Sequence, residues 1–99
     1  MPAYVTNGPS DHRHILTDSG AKGAIVSNSA LARNLMPAAL AAPALQFVVA
    51  MDEIRQEQAM RFALHRWDKL VAAHDGDAAD LPPAAAALVR ESTACLIYT

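Results

Sequence analysis

Four histidines are the side chains of this sequence best suited to bind a metal ion or to move a proton near neutral pH. His12 and His14 are two residues apart, so on a helix they point about 200° apart and cannot hold one ion together. His65 is expected on the polar face of a helix, and His74 is expected in a loop. No third ligand stands at a suitable spacing. All four are therefore interpreted as exposed or capping histidines, and a helical zinc protein is the least favoured function.

Two groups of acidic residues could supply catalytic or metal-binding carboxylates. Asp52 and Glu53 follow a predicted strand, where ligands approach an open α/β sheet. The dipole at the start of a helix explains the same two residues better. Three aspartates share a loop of small residues: Asp75, Asp77 and Asp80. This loop lacks the bidentate glutamate of a calcium-binding loop, so we predict a solvated linker.

Cys95 and Trp67 are interpreted as core residues. Cys95 lies in an apolar run without a neighbouring cation, so its thiol is expected to be neutral and unreactive. Trp67 lies on an apolar stripe and is expected to anchor a helix against a sheet. Neither a dinucleotide-binding motif, nor a complete P-loop, nor a G-x-S-x-G motif is present. The residues alone therefore indicate no self-sufficient active site.

Strand and helix patterns alternate along the chain. Ser10 or Asp11 is expected to cap the first helix, and Gly20 is expected to end it. Asn28 or Ser29 is expected to cap the second helix, and Pro37 is expected to bend or split it. The predicted order is strand 3–6, a helix to about residue 19, strand 23–27, a helix through residues 31–40 that ends before Pro43, strand 45–50, helix 54–73, a helical turn at 84–89 and strand 93–99. This order predicts an α/β fold, a βαβαβαβ partial domain whose parallel sheet is connected by helical crossovers.

Composition limits the class of protein. The chain has 99 residues, a mass of 10.5 kDa and a net charge of −2. Although 53% of its residues are hydrophobic, 22 are alanines, which bury little surface, so only a modest core is expected. The charge balance predicts no nucleic-acid partner. We expect no transmembrane segment or signal peptide, and the lone Cys95 fits a reducing, cytoplasmic compartment.

Several passages resemble AMP-forming acyl-CoA synthetases. Residues 18–27, D-S-G-A-K followed by an apolar run, are similar to a helix–turn–strand passage of that family. Residues 4–7 and 14–16 resemble the stretch just upstream, and residues 45–52 resemble the next strand. Residues 67–70 resemble the tryptophan-bearing helix before the nucleotide loop. Residues 96–99, L-I-Y-T, look like the strand that leads into the phosphate-binding loop.

The resemblance implies a fragment of the AMP-binding N-terminal domain over residues 1–99, ending at the start of the phosphate-binding loop. Such ligases use ATP and Mg²⁺ to adenylate a fatty or other carboxylic acid, and coenzyme A then forms the thioester. Only Thr99 corresponds to a cofactor-binding position, at the start of the phosphate-loop motif. The resemblance gives no catalytic and no metal-binding residue. The parent enzyme is expected to be cytoplasmic or peripheral to a membrane.

Two functions stay open. The first is a structural piece of an acyl-CoA synthetase of fatty-acid metabolism, inactive alone and prone to self-association because its last apolar strand would be exposed. The alternative is a free-standing α/β binding or interaction module without catalysis. Its ligand cleft would lie beyond the strand ends at Ser27, Met51 and Thr99.

Overall fold

The structure, a computed structural model, describes residues 1–54, 61–73 and 83–98. Its elements follow the chain in the order α1 (Pro9–Ser19), β1 (Gly23–Val26), α2 (Ser29–Ala41), β2 (Phe47–Ala50), β3 (Ala63–Arg66), α3 (Trp67–Ala73) and α4 (Pro83–Ala86). The coarse prediction of a small α/β fold with a parallel sheet is confirmed. Within the described residues, no helix is long and apolar enough to cross a membrane.

The N-cap of helix α1 lies two or three residues before the expected one. Gly8 is the N-cap, and Asp11, in the first turn, accepts a hydrogen bond from the Gly8 N–H at 3.0 Å. Ser10 and Asp11 are thus helical residues and not the caps predicted for them. Gly20 ends the helix with φ 64°, a left-handed conformation that glycine adopts without strain, as predicted.

Helix α2 has the predicted N-cap. The Asn28 side-chain oxygen accepts a hydrogen bond from the Leu31 N–H at 2.9 Å, so one otherwise unpaired first-turn donor is satisfied. Of the two effects predicted for Pro37, a bend or a split, the split is wrong, because α2 runs from Ser29 to Ala41 with Pro37 inside it. Pro37 is exposed, and its ring points away from the core that the other side of the helix forms.

The sheet has the strand order β1-β2-β3, and both pairs are parallel. Side chains of one face pack beneath α1 and α2: Ala24, Val26, Val48, Ala50 and Leu64 join the core cluster or lie against it. Val48, on the central strand, is 0% exposed. Alternation along a strand sends the intervening residues to the opposite face. There Ile25, Phe47 and His65 are exposed, and Val49 at the centre is buried.

The long helix predicted over residues 54–73 is wrong in its first half. Residues 63–66 form β3 beside β2, and only Trp67–Ala73 is helical. The apolar spacing that indicated a helix also suits a short strand, because Leu64 alternates with the exposed Ala63 and His65. Strand pairing with the edge of β2 that faces away from β1 outweighs the local helix propensity of residues 63–66. Residues 55–60 of the predicted helix lie outside the described residues.

The first and last predicted strands are also wrong for the described residues. Residues 3–6 form no strand, since the Asn7 N–H donates to the Tyr4 oxygen at 3.1 Å and closes a turn. Residues 93–98 have no regular structure and are largely exposed. Among the described residues the sheet therefore has three strands, and two of them, β1 and β2, are strands that the sequence predicts. The predicted acidic linker, with His74, Asp75, Asp77 and Asp80, lies outside the described residues.

Candidate functional site

A groove of about 580 Å³ runs along the outer edge of β1. Residues 1–5 form one wall, and Ile15, Leu31 and Leu35 from the two helices form the floor. Residues from both faces of β1 line the groove, but β2 contributes only Met51, which follows its last residue. The groove therefore follows the strand edge, and its lining is mainly apolar, with His12 and Ser27 as polar side chains.

The backbone of β1 offers hydrogen-bonding groups to this groove. The oxygens of Lys22 and Val26 accept bonds from Phe47 and Met51 on the β2 side, at 3.3 and 3.0 Å. In a parallel ladder, alternate residues turn their backbone groups toward the same neighbour. Gly23, Ile25 and Ser27 therefore turn their N–H and C=O groups toward the groove. Among the described residues, none of these outward groups has a backbone partner outside the strands.

Opposite charges flank the two ends of β1. Lys22 is exposed immediately before β1, and Asp52 and Glu53 are exposed just beyond the end of β2. The 3.0 Å bond between the Met51 N–H and the Val26 oxygen places the two acids near the carboxyl end of β1. The expected position of Asp52 and Glu53 after a strand is thus confirmed, and these three residues lie beside the groove and not in its lining.

The histidines do not form a common site. His12 is half-buried in the groove, whereas His14 is exposed on α1 and its ring meets that of Tyr98 edge-on at 6.1 Å between centroids. His65 lies on β3 and not on the helix face predicted for it. No three metal-binding side chains cluster in the described part of the chain.

Cys95 and Trp67 are not the core residues that the sequence predicts. Cys95 is exposed, because the segment around it does not form the predicted buried strand. Trp67 is 45% exposed, since it begins α3 and does not lie in the middle of a helix packed on the sheet. Thr99, the predicted phosphate-loop position, lies outside the described residues.

A contact between the end of α1 and the C-terminal segment was not predicted. The Tyr98 hydroxyl donates to a carboxylate oxygen of Asp18 at 2.7 Å, across eighty positions of sequence. This hydrogen bond, with desolvation and the negative charge of Asp18, raises the pKa of the Tyr98 phenol above its usual value of 10.0. The sequence gives no sign of this hydrogen bond, because neither residue type is unusual at its position and no periodic spacing links the two.

Comparison of the chain with protein-family models, with curated proteins and with solved structures gave no match. Two observations consequently bear on the function of this chain. One is the resemblance of short passages such as residues 18–27, and the other is the geometry of the groove beside β1.

Proposed function

We propose that this chain forms part of the N-terminal domain of an AMP-forming acyl-CoA synthetase. The observation that supports the proposal is the D-S-G-A-K passage and its local structure. Asp18 and Ser19 end α1, Gly20 adopts the left-handed turn, and the apolar run from Gly23 forms β1. The same order of helix, turn and strand characterises the passage that residues 18–27 resemble.

In such an enzyme this segment would have a structural role. The carboxylate substrate attacks the α-phosphate of ATP and releases pyrophosphate, and the thiol of coenzyme A then displaces AMP from the acyl-adenylate. ATP and Mg²⁺ supply the activated phosphate and the positive charge that stabilises it. By resemblance, the groups that hold them belong to other parts of the enzyme, apart from Thr99. The sheet and helices of this chain would support the nucleotide loop.

The reading frame around the coding sequence tests this proposal. We expect a segment rich in Ser, Gly and Thr followed by Pro-Lys-Gly, in frame or one frameshift beyond Thr99. An unrelated continuation would contradict the proposal.

As a biochemical test, the purified chain is incubated with ATP, Mg²⁺, a fatty acid and coenzyme A. Pyrophosphate release should equal the protein-free blank, and turnover above it would show that the chain is more than structural.

A binding or interaction module without catalysis is the second candidate function. The observation that favours it is the apolar groove beside β1, which reaches Ser27 and Met51 at the carboxyl ends of two parallel strands. Open α/β sheets commonly bind their ligands at this end. The reading frame separates the two candidates, and the backbone groups of the groove and the charges beside it indicate what it binds.

A further inference from the structure

We propose that the groove beside β1 binds the β1 strand of a second copy of this chain. The two strands would run antiparallel about a two-fold axis at Ile25. They would join the two three-stranded sheets into a single six-stranded sheet. This inference rests on the second candidate function, the interaction module, and names its partner.

The unpaired backbone of β1 supports a strand as the occupant. Gly23, Ile25 and Ser27 turn their N–H and C=O groups into the groove, and an extended chain satisfies such groups in regular alternation. With the axis at Ile25, that residue exchanges both of its backbone bonds with its own copy. Gly23 of each copy then lies opposite Ser27 of the other.

The apolar surface beside the edge supports the same arrangement. Ile25 is 60% exposed although it lies in the middle of a strand. Directly opposite residues of an antiparallel pair are about 5.5 Å apart, so the two Ile25 side chains would cover each other. Tyr4, Val5 and Met51 are also exposed around the groove, and a partner strand would extend over them.

Charge favours a second copy over an unrelated strand. Antiparallel pairing places Lys22 of one copy at the carboxyl end of the other copy's β1. Asp52 and Glu53 lie one strand further, and strands are about 4.8 Å apart, so a lysine side chain can reach them. The two-fold axis repeats this attraction at the other end. The chain is therefore complementary to itself along this edge.

Sedimentation analysis of the whole chain over a range of concentrations tests the inference. We expect a monomer–dimer equilibrium in the wild type. The variant Ile25→Pro removes the outward N–H at the axis, while the β1–β2 ladder, which uses Ala24 and Val26, is kept. Two hydrogen bonds are lost by symmetry, so the dissociation constant should rise by about tenfold or more. The matched control Ile25→Thr keeps both the N–H and a branched side chain, and should change dimerisation less.

Charge reversal gives a second test that does not depend on the proline variant folding. Lys22→Glu should weaken the dimer several-fold, and the triple variant Lys22→Glu, Asp52→Lys, Glu53→Lys should restore it. Far-UV circular dichroism checks that each variant keeps its secondary structure. A wild type that stays monomeric at millimolar concentration overturns the inference. A dimer that neither Ile25→Pro nor Lys22→Glu weakens overturns it too, because another surface would then be responsible. The sedimentation samples contain no ATP and report only the association of the chain, so neither result bears on the synthetase proposal.

Discussion

Asn28 shows how one residue fixes the start of an element. Its side chain caps α2 through the Leu31 N–H at 2.9 Å. Asn28→Ala leaves this donor without a protein partner and should lower the free energy of unfolding by about 1 kcal/mol. Asn28→Ser is the matched control, since serine caps helices as well as asparagine does, and it should be nearly neutral. Urea denaturation measures both variants. Equal losses of unfolding free energy in Asn28→Ala and Asn28→Ser would show that the cap hydrogen bond is not the stabilising contact.

Tyr98 and Asp18 give the molecule a contact that depends on pH. Because the hydrogen bond to Asp18 raises the pKa of Tyr98 above 10.0, its stabilising contribution is complete below pH 10.0 and is lost as the pH rises through the raised value. We expect Asp18→Asn to lower the pKa of Tyr98, because the charged acceptor is removed. Tyrosinate absorbance during an alkaline titration follows the change, and Tyr98→Phe assigns the signal. An unchanged titration in Asp18→Asn would contradict the contact.

At the scale of elements, Arg61 connects the end of α2 to the start of β3. Its guanidinium donates to the backbone oxygens of Leu40 and Ala42, at 3.0 and 2.6 Å. These are carbonyls in the last turn of a helix and just after it, which lack helical partners. Arg61→Ala should cost roughly 1 kcal/mol of unfolding free energy, at the lower end of the range for charged hydrogen bonds because the side chain is exposed.

A lysine variant and hydrogen exchange test this role of Arg61. Arg61→Lys keeps the charge but cannot reach both oxygens with one planar group, so it should lose about half as much stability as Arg61→Ala. Hydrogen exchange should show faster exchange of the Ala63 N–H, which bonds to Gln46 at 3.0 Å where β3 begins. Unchanged exchange there would mean that Arg61 does not hold β3 in place.

The elements that were predictable from sequence are those with local signals at both ends. α1 ends at Gly20, α2 begins at Asn28, β1 is the apolar run between these two signals, and β2 is an apolar run that follows Pro43. β3 was not predictable, because its apolar spacing also fits a helix and only pairing with β2 decides between them. Within the groove, the positions of Ser27, Met51 and Asp52 follow from the strand ends. The turn at Tyr4 and the bond between Tyr98 and Asp18 depend on contacts that no spacing encodes.

At the scale of the whole molecule, α1 and α2 cover one face of the sheet, whereas on the other face Val49 is buried and its neighbours are exposed. α1 and α2 shield Val26, Val48 and Ala50, while Ile25 and Phe47 of the opposite face remain exposed. Parallel sheets are normally buried on both faces. The radius of gyration is 15.0 Å. A compact chain of this length has about 13 Å. A second layer of protein over this face would bury Ile25 and Phe47.

A thin core makes the stability of the whole chain depend on few large side chains. Leu35 is 6% exposed in a cluster whose other helical members are mostly alanines, so few neighbours can move to fill its space. Leu35→Ala should cost about 2–5 kcal/mol. That loss is comparable with the whole stability expected of a marginal domain, roughly 5 kcal/mol. The melting temperature of the variant, followed by near-UV circular dichroism, should therefore lie well below that of the wild type. Leu88→Ala, the same change at a side chain that is 70% exposed, should melt like the wild type. A folded Leu35→Ala with an unchanged melting temperature would show that the stability resides outside this core.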